Sequence, residues 1–281
     1  MEIAKQIAPI ALAIIMFGLG LGLTVKDFTR LFYKPRDFVV GFFGQVILLP
    51  IVAFILIIVV PMPLEIALGV MIIASAPGGV TSNILTKFAN GDVALSVTLT
   101  AVVSLLAAIS VPLIVFNSAN FLGVAITGEI SMLKIAFKMF FVVTVPVIFG
   151  MIVRTIMTDF IVSKTLIIQR MSVILFLIVF ISIWVEEWDK ITSFLQRAGL
   201  ISLILNLTMI FLGYYLAKYF ASGIAQRKCI SLECGLQNGT LALFVGTQLF
   251  DNIVFMVPTA AYALIMFVTS IIFVLKVRKI N

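Results

Sequence analysis

The sequence predicts an all-α polytopic membrane protein built as two inverted repeats, with one broken helix in each. Three observations lead there. Of the 281 residues, 63% are apolar and 11% charged, against about 45–50% and about 25% in soluble domains, so too few charged side chains exist to cover a soluble surface. Apolar runs of about 20 residues, enough to cross a hydrocarbon core, recur along the whole length. Two of those runs are interrupted by Pro, Gly and polar residues at comparable depth. The net charge is +7 with no histidine. Basic loops on one membrane face account for that excess, and nucleic acid is not expected as a partner. Cys229 and Cys234 stand five apart, which is neither a disulfide framework nor a zinc spacing.

The first run, Ile7–Leu23, carries Gly18, Gly20 and Gly22. They read as a close-packing face, since no strand context supports a nucleotide loop. No small-residue cleavage site leads from it to a polar region, so it reads as a span and not a signal peptide. The others are Phe38–Val60, Leu64–Ala89, Val93–Phe116, Ile135–Val153, Leu166–Val185, Leu200–Leu216, Cys229–Phe250 and Val254–Leu275, nine in all. Pro50, Pro112, Pro146 and Pro258 read as packing kinks. Glu65, Asp92, Glu129 and Asp251 fall at span ends and read as solvated. Thirteen Lys and Arg residues fall in loops on one side and four on the other. The positive-inside rule then places the N-terminus outside and the C-terminus in the cytoplasm.

The third run reads LEIALGVMIIASAPGGVTSNILTKFAN. At 1.5 Å per residue its pieces cover about 20 Å and about 12 Å, so Pro77-Gly78-Gly79 lies inside a core of about 30 Å. Proline lacks the amide and paired glycines weaken the helix. The eighth run reads RKCISLECGLQNGTLALFVGTQLF. Its polar stretch from Glu233 to Thr240 falls near the midplane, about 15 Å from the outer end. Unwound backbone survives there only where it is buried in protein or lines a cavity. Asn83 follows Ile7 by 76 residues and Asn238 follows Leu166 by 72. Spans one to four therefore repeat as spans six to nine, inverted by the odd number of spans between them. The expected repeats are 7–116, with four spans, and 135–275, with five. Inverted repeats with one broken helix each mark a secondary transporter with a midplane site.

Glu233 carries the chemistry. A carboxylate inside a span costs about 2.5–3.5 kcal/mol on insertion scales and needs a partner. Lys228 is more than a helical turn away, which leaves a proton or a bound cation. The polar company is Gln45, Ser82, Asn83, Ser96, Thr98, Thr100, Gln237 and Asn238. Hard oxygen donors of this kind suit sodium, by analogy with calcium and magnesium. Ser96 and Thr100 share one helical face. Thr98 reads as helix-to-helix glue, and Gln45 is either an interhelical hydrogen bond or a ligand. With no histidine, no cysteine beside a base and no paired intramembrane aspartates, no hydrolytic catalyst is expected.

APGGVTSN, GDVALSVTLT and ECGLQNG together resemble the bile acid:sodium symporter family over almost the whole chain. The resemblance implies two inverted five-helix repeats, with crossing broken helices in a core beside a flatter panel. FGLGLGL at 17–23 is similar to the family's second helix, which implies the nine-span form. Spans 2–4 and 7–9 would then make the core and spans 1, 5 and 6 the panel. The resemblance implies one sodium site from Ser82, Asn83, Ser96, Thr100 and Glu233. A second would use Gln45, Gln237 and Glu233 with carbonyls near Cys234 and Leu236. Where many bacterial members read GGTASN, this chain has Val80 and Thr81. The function implied is sodium-coupled import of an organic anion across a bacterial inner membrane, with two sodium ions and no organic cofactor. Thr81, Asn238 and Gly239, at the half-helix N-termini, are the expected substrate contacts. The alternative is a cation/proton antiporter or arsenite-type efflux carrier, in which Glu233 would titrate during turnover.

Overall fold

The computed structural model describes residues 2–126, 130–186 and 188–280, and its regular elements are all helices. Glu129 lies outside the described residues. Helix α1 (Glu2–Leu21) runs against α9 (Val145–Ile156) with backbones in contact. A methyl group added at Gly20 would collide with the Val147 carbonyl, and one at Gly150 with the Phe17 carbonyl. Gly18 meets the Ser172 hydroxyl instead, while Gly22, just past the end of α1, meets only the Leu19 carbonyl. Small residues that let helices approach are the expected glue in lipid.

Helix α2 (Val25–Tyr33) turns 79° away from α1. Asp27 closes the corner, its Oδ2 accepting from the Thr24 amide at 2.6 Å and the Thr24 hydroxyl at 2.8 Å. Thr98 ties α2 to α7 by donating to the Asp27 carbonyl at 2.8 Å, in keeping with its expected role as glue. Next come α3 (Pro35–Phe42), a π-helical turn (Phe43–Leu48) and α4 (Leu49–Val59), which run on as one stretch. The same pattern recurs in α8 (Met132–Met139), a π-helical turn (Phe140–Thr144) and α9. Each π turn ends two residues before a proline, Pro50 or Pro146. The ring crowds the carbonyl four residues back and offers no amide, and the wider turn absorbs the misfit. Pro258 is not a kink: it stands in the first turn of α14, where the missing amide costs nothing.

The remaining helices are α5 (Leu64–Ser75), α6 (Val80–Phe88), α7 (Val93–Leu122), α10 (Thr158–Glu186), α11 (Trp188–Phe220), α12 (Ile224–Gly235), α13 (Gly239–Leu249) and α14 (Val257–Val277). Gly123, at φ +67°, ends α7 in the left-handed region that glycine tolerates. Asp92 is not a solvated span end: it caps α7 by accepting from the Leu95 amide, and it accepts from Gln226 at 2.7 Å.

Five helical stretches among the described residues are individually long and apolar enough to cross a membrane, or seven if each bent pair counts as one. The third and eighth apolar runs are divided into α5/α6 and α12/α13, each piece too short to span alone. Three of these pieces, α5, α12 and α13, form the centre. All residues from Ile66 to Ser75 and from Lys228 to Gly235 are buried, whereas α9 exposes Ile148, Phe149 and Ile152. Helices apolar and buried all round belong inside a bundle, and one-sided ones face lipid.

Candidate functional site

The two interruptions touch. Helix α5 stops at Ser75, Ala76 is extended, and α6 starts after Gly79 without a side-chain cap. Helix α12 stops at Gly235, Leu236 is extended, and α13 starts after Asn238, whose Oδ1 accepts from the Leu241 amide at 3.0 Å. The Asn238 amide donates to the Ala76 carbonyl at 3.2 Å, joining one break to the other.

Carbonyls released by the second break find side chains. The Gly235 carbonyl accepts from Asn206 Nδ2 at 2.7 Å and from the Tyr262 hydroxyl at 3.0 Å. Thr269 donates to Asn206 Oδ1 at 2.6 Å and so orients that amide. The Cys234 carbonyl accepts from Gln237 Nε2 at 2.9 Å, and the Glu233 carbonyl from Gln45 Nε2 at 2.9 Å. Irregular backbone is tolerable in a membrane under these terms, with its polar groups paired inside protein. The sequence reading missed Asn206, Tyr262 and Thr269. A single asparagine within the apolar run of the seventh span was the available signal.

Glu233 is fully buried. Its Oε2 accepts from Gln45 Nε2 at 2.8 Å, and its Oε1 accepts from the Ser96 hydroxyl. The Ser82 and Thr100 hydroxyls also lie within reach. Gln45 is presented by the π turn before Pro50, a kind of local irregularity common at functional sites. Asn83 Oδ1 faces the Ser96 hydroxyl at 2.7 Å and the Thr100 hydroxyl at 3.3 Å. Ser96 has one hydroxyl hydrogen and two acceptors before it, so oxygen lone pairs outnumber the hydrogens available to them. No Lys or Arg neutralises the carboxylate among the described residues. Lys228 instead donates to the Ile280 carbonyl at 2.8 Å.

A second oxygen cluster adjoins the first. Gln45 Oε1 and Gln237 Oε1 are both buried without a hydrogen-bond partner among the described residues. The Leu236 carbonyl faces Gly78: a methyl group there would lie 2.9 Å from that oxygen, 3.1 Å from Gln45 Nε2 and 3.4 Å from Glu233 Oε2. The structure therefore brings Ser82, Asn83, Ser96, Thr100, Glu233 and Gln45 into one connected group. Cys234, Leu236 and Gln237 border it through the break.

Thr81, Asn238 and Gly239 lie together elsewhere, lining a cavity of about 240 Å³. Its other polar residues are Ser172, Gln237 and Thr240, and its apolar walls include Met16, Phe176, Met266 and Phe267. No charged side chain among the described residues lines it. The N-termini of α6 and α13 both border it, and first-turn amides of a helix have no partner within the helix. Such ends attract anions through their amides and the helix dipole.

Membrane-length apolar helices around two touching interrupted ones, with a buried carboxylate and an uncharged cavity at the breaks, define an integral membrane transport protein. The model of the sodium bile acid symporter family matches residues 9–194, and the chain belongs to that family. An uncharacterized sodium-dependent transporter of Bacillus subtilis (strain 168), YocS, is 30% identical over 260 residues, covering 90% of this chain and 77% of its own length. A probable chloroplastic sodium/metabolite cotransporter of Oryza sativa subsp. japonica, BASS2, is 27% identical over 255 residues. The match covers 89% of this chain and 59% of the rice protein. The P3 protein of Homo sapiens is 26% identical over 224 residues, 80% of this chain and 47% of its own length.

Proposed function

We propose that the protein is a sodium-coupled secondary active symporter that imports an organic anion, bile acid-like or a small carboxylate, by alternating access. One observation carries this reading: a fully buried carboxylate, Glu233, faced by hydroxyl and amide groups and by no positive side chain among the described residues. A hard cation supplies the missing charge and uses the surplus oxygen lone pairs. One sodium is held by Ser82, Asn83, Ser96, Thr100 and Glu233. The second is held by Gln45, Gln237 and Glu233 with the Cys234 and Leu236 carbonyls. The unpartnered Oε1 atoms of both glutamines support that second site.

Sodium binding links the two broken helices, because its ligands come from both and from α7. With Glu233 neutralised, the amides at the starts of α6 and α13 hold the anionic head group, and Thr81, Asn238 and Gly239 contact it. The chain crosses the membrane nine times as two inverted repeats, 7–116 and 135–275. The core of spans 2–4 and 7–9 rocks against the panel of spans 1, 5 and 6. The N-terminus lies outside a bacterial plasma membrane, a placement that the bias of basic residues between the loops supports. Two sodium ions with one monovalent anion carry one net positive charge, which at 100 mV contributes about 2.3 kcal/mol.

Thermal stability in sodium against potassium tests this, since a ligand that binds only the folded state raises the midpoint with its concentration. Sodium raises the midpoint of the unsubstituted protein, and Glu233→Ala and Gln45→Ala lose that response. If the two salts are indistinguishable and pH alone moves the midpoint through Glu233, the proton-coupled antiporter replaces the symporter.

A further inference from the structure

Two cavities lie end to end along α6, between the same three helices. The first is the uncharged cavity at the α6 N-terminus. The second, of about 530 Å³, begins a turn further along. Helix α1 gives Met16 to the first and Leu21 to the second, and α10 gives Ser172 to the first and Thr165 to the second. Helix α6 gives Thr81 to the first and Lys87 to the second, and Ile84 lines both. The chambers are therefore stacked, with Ile84 between them. Opposite it α1 and α10 close up, where a methyl group on Gly18 would lie 2.9 Å from the Ser172 hydroxyl. Thr81 and Lys87 are six residues apart, about 9 Å along the helix.

Among the described residues Lys87, an exposed side chain, is the only charged one lining either chamber. Its position in the last turn of α6 matters electrostatically. The positive end of the α6 dipole faces the first chamber, and the negative end, equivalent to about half a charge, lies beside the second. An anion leaving the first chamber along α6 would run toward that negative end. An ammonium in the last turn reverses the local sign. A lysine that only balanced the dipole could point anywhere around the helix. This one lines a concave chamber stacked against the substrate cavity, and Asn83 of the first ion cluster lines the same chamber.

We infer that the second chamber is a release subsite for the transported organic anion, with Lys87 receiving the carboxylate or sulfonate as it leaves the amides at the start of α6. The apolar body follows past Ile84. The inference rests on the anion-symport reading. The chamber lies at the end of the molecule where most basic loop residues gather, which is the cytoplasmic end under the positive-inside rule.

The experiment needs no identified substrate. Thr165→Cys is introduced into the full chain in proteoliposomes; Cys229 and Cys234 are both buried, so the unsubstituted protein supplies a low background. The introduced thiol is then modified with an anionic reagent, sulfonatoethyl methanethiosulfonate, and with a cationic one, trimethylammonioethyl methanethiosulfonate. The ratio of anionic to cationic rates falls about tenfold when Lys87→Glu is added, falls less with Lys87→Gln, and is kept by Lys87→Arg. The same substitutions leave the ratio unchanged when the thiol is placed instead by Thr192→Cys, at an exposed position on α11. A ratio that ignores residue 87, or a thiol at position 165 that reacts with neither reagent, overturns the subsite. Absence of sodium stabilisation in the unsubstituted protein overturns the symport reading instead, so the two failures are distinguishable.

Discussion

The two breaks solve one problem by different means. In the first, backbone chemistry does the work: Pro77 withholds an amide, Gly78 and Gly79 weaken the helix, and α6 starts uncapped. In the second, which contains no proline, side chains do it. Asn238 caps α13, Asn206 and Tyr262 hold the Gly235 carbonyl, and Gln45 holds Glu233 through both its carbonyl and its carboxylate. The lesson is that the first break supplies space and uncapped amides, and the second supplies charge and rigidity. Damage to the first should therefore appear in ligand binding, and most damage to the second in stability.

Glu233 is the exception within the second break, and its loss has the largest expected effect. Glu233→Gln removes the charge while keeping shape and a hydrogen-bonding amide. Sodium-driven uptake in proteoliposomes should drop at least about a hundredfold, because under the proposed mechanism the ion would lose the one carboxylate that faces it among the described residues, in a medium that screens weakly. The folded yield should hold or rise, since a buried unpaired carboxylate costs more than a neutral amide. Uptake that survives with unchanged sodium dependence would move the coupling site elsewhere.

Two adjacent glycines sharpen the comparison within the first break. A methyl group at Gly78 enters the space bounded by the Leu236 carbonyl, Gln45 and Glu233, while one at Gly79 meets nothing within 4 Å. Gly78→Ala should weaken the sodium-dependent thermal shift about tenfold in apparent affinity, and Gly79→Ala should change it by less than about threefold. Equal effects would mean that the break works as a loose hinge and not as a shaped wall of the ion site.

In the second break the expected readout is stability. Tyr262→Phe removes one of the two donors to the Gly235 carbonyl, and Asn206→Leu removes the other together with an acceptor of the Thr269 hydroxyl. Each should cost about 1–3 kcal/mol, Asn206→Leu the more, with the double variant less than additive because one carbonyl is shared. Chemical denaturation in detergent, with sodium absent from all samples, measures this directly.

The sequence showed much of the first break and little of what supports the second. Pro77-Gly78-Gly79 is local punctuation and can be read in place, and Glu233 stands out because lipid penalises charge. Ser96 and Thr100 could be placed on one face from helical spacing alone. Asn206, Tyr262 and Thr269 could not be placed, because their partner is a backbone carbonyl exposed only once α12 has stopped. The π turn that presents Gln45 was hidden for a similar reason. Pro50 marks a disturbance, but whether the chain kinks or widens depends on what packs against it. Span boundaries suffered too: Ile7–Leu23 reads as one run, yet the chain turns 79° just beyond it into α2.

The smallest expected effect separates two roles that Asn238 combines. Its Oδ1 caps α13 by accepting from the Leu241 amide, and the residue also lines the uncharged cavity. Asn238→Ala removes the cap and should cost about 0.5–2 kcal/mol of stability, by an amount α6 never had to lose because it has no cap. Asn238→Asp retains an accepting oxygen in the same place, so stability should stay close to that of the unsubstituted protein. It also puts a negative charge at the mouth of a cavity lined by the two helix ends and by no positive side chain among the described residues. If Asn238 merely caps, Asp should rescue the Ala variant in denaturation and in uptake alike. If it also faces the substrate, Asp restores the midpoint and leaves anion uptake reduced, and the gap between those two measurements is the part of Asn238 that belongs to transport.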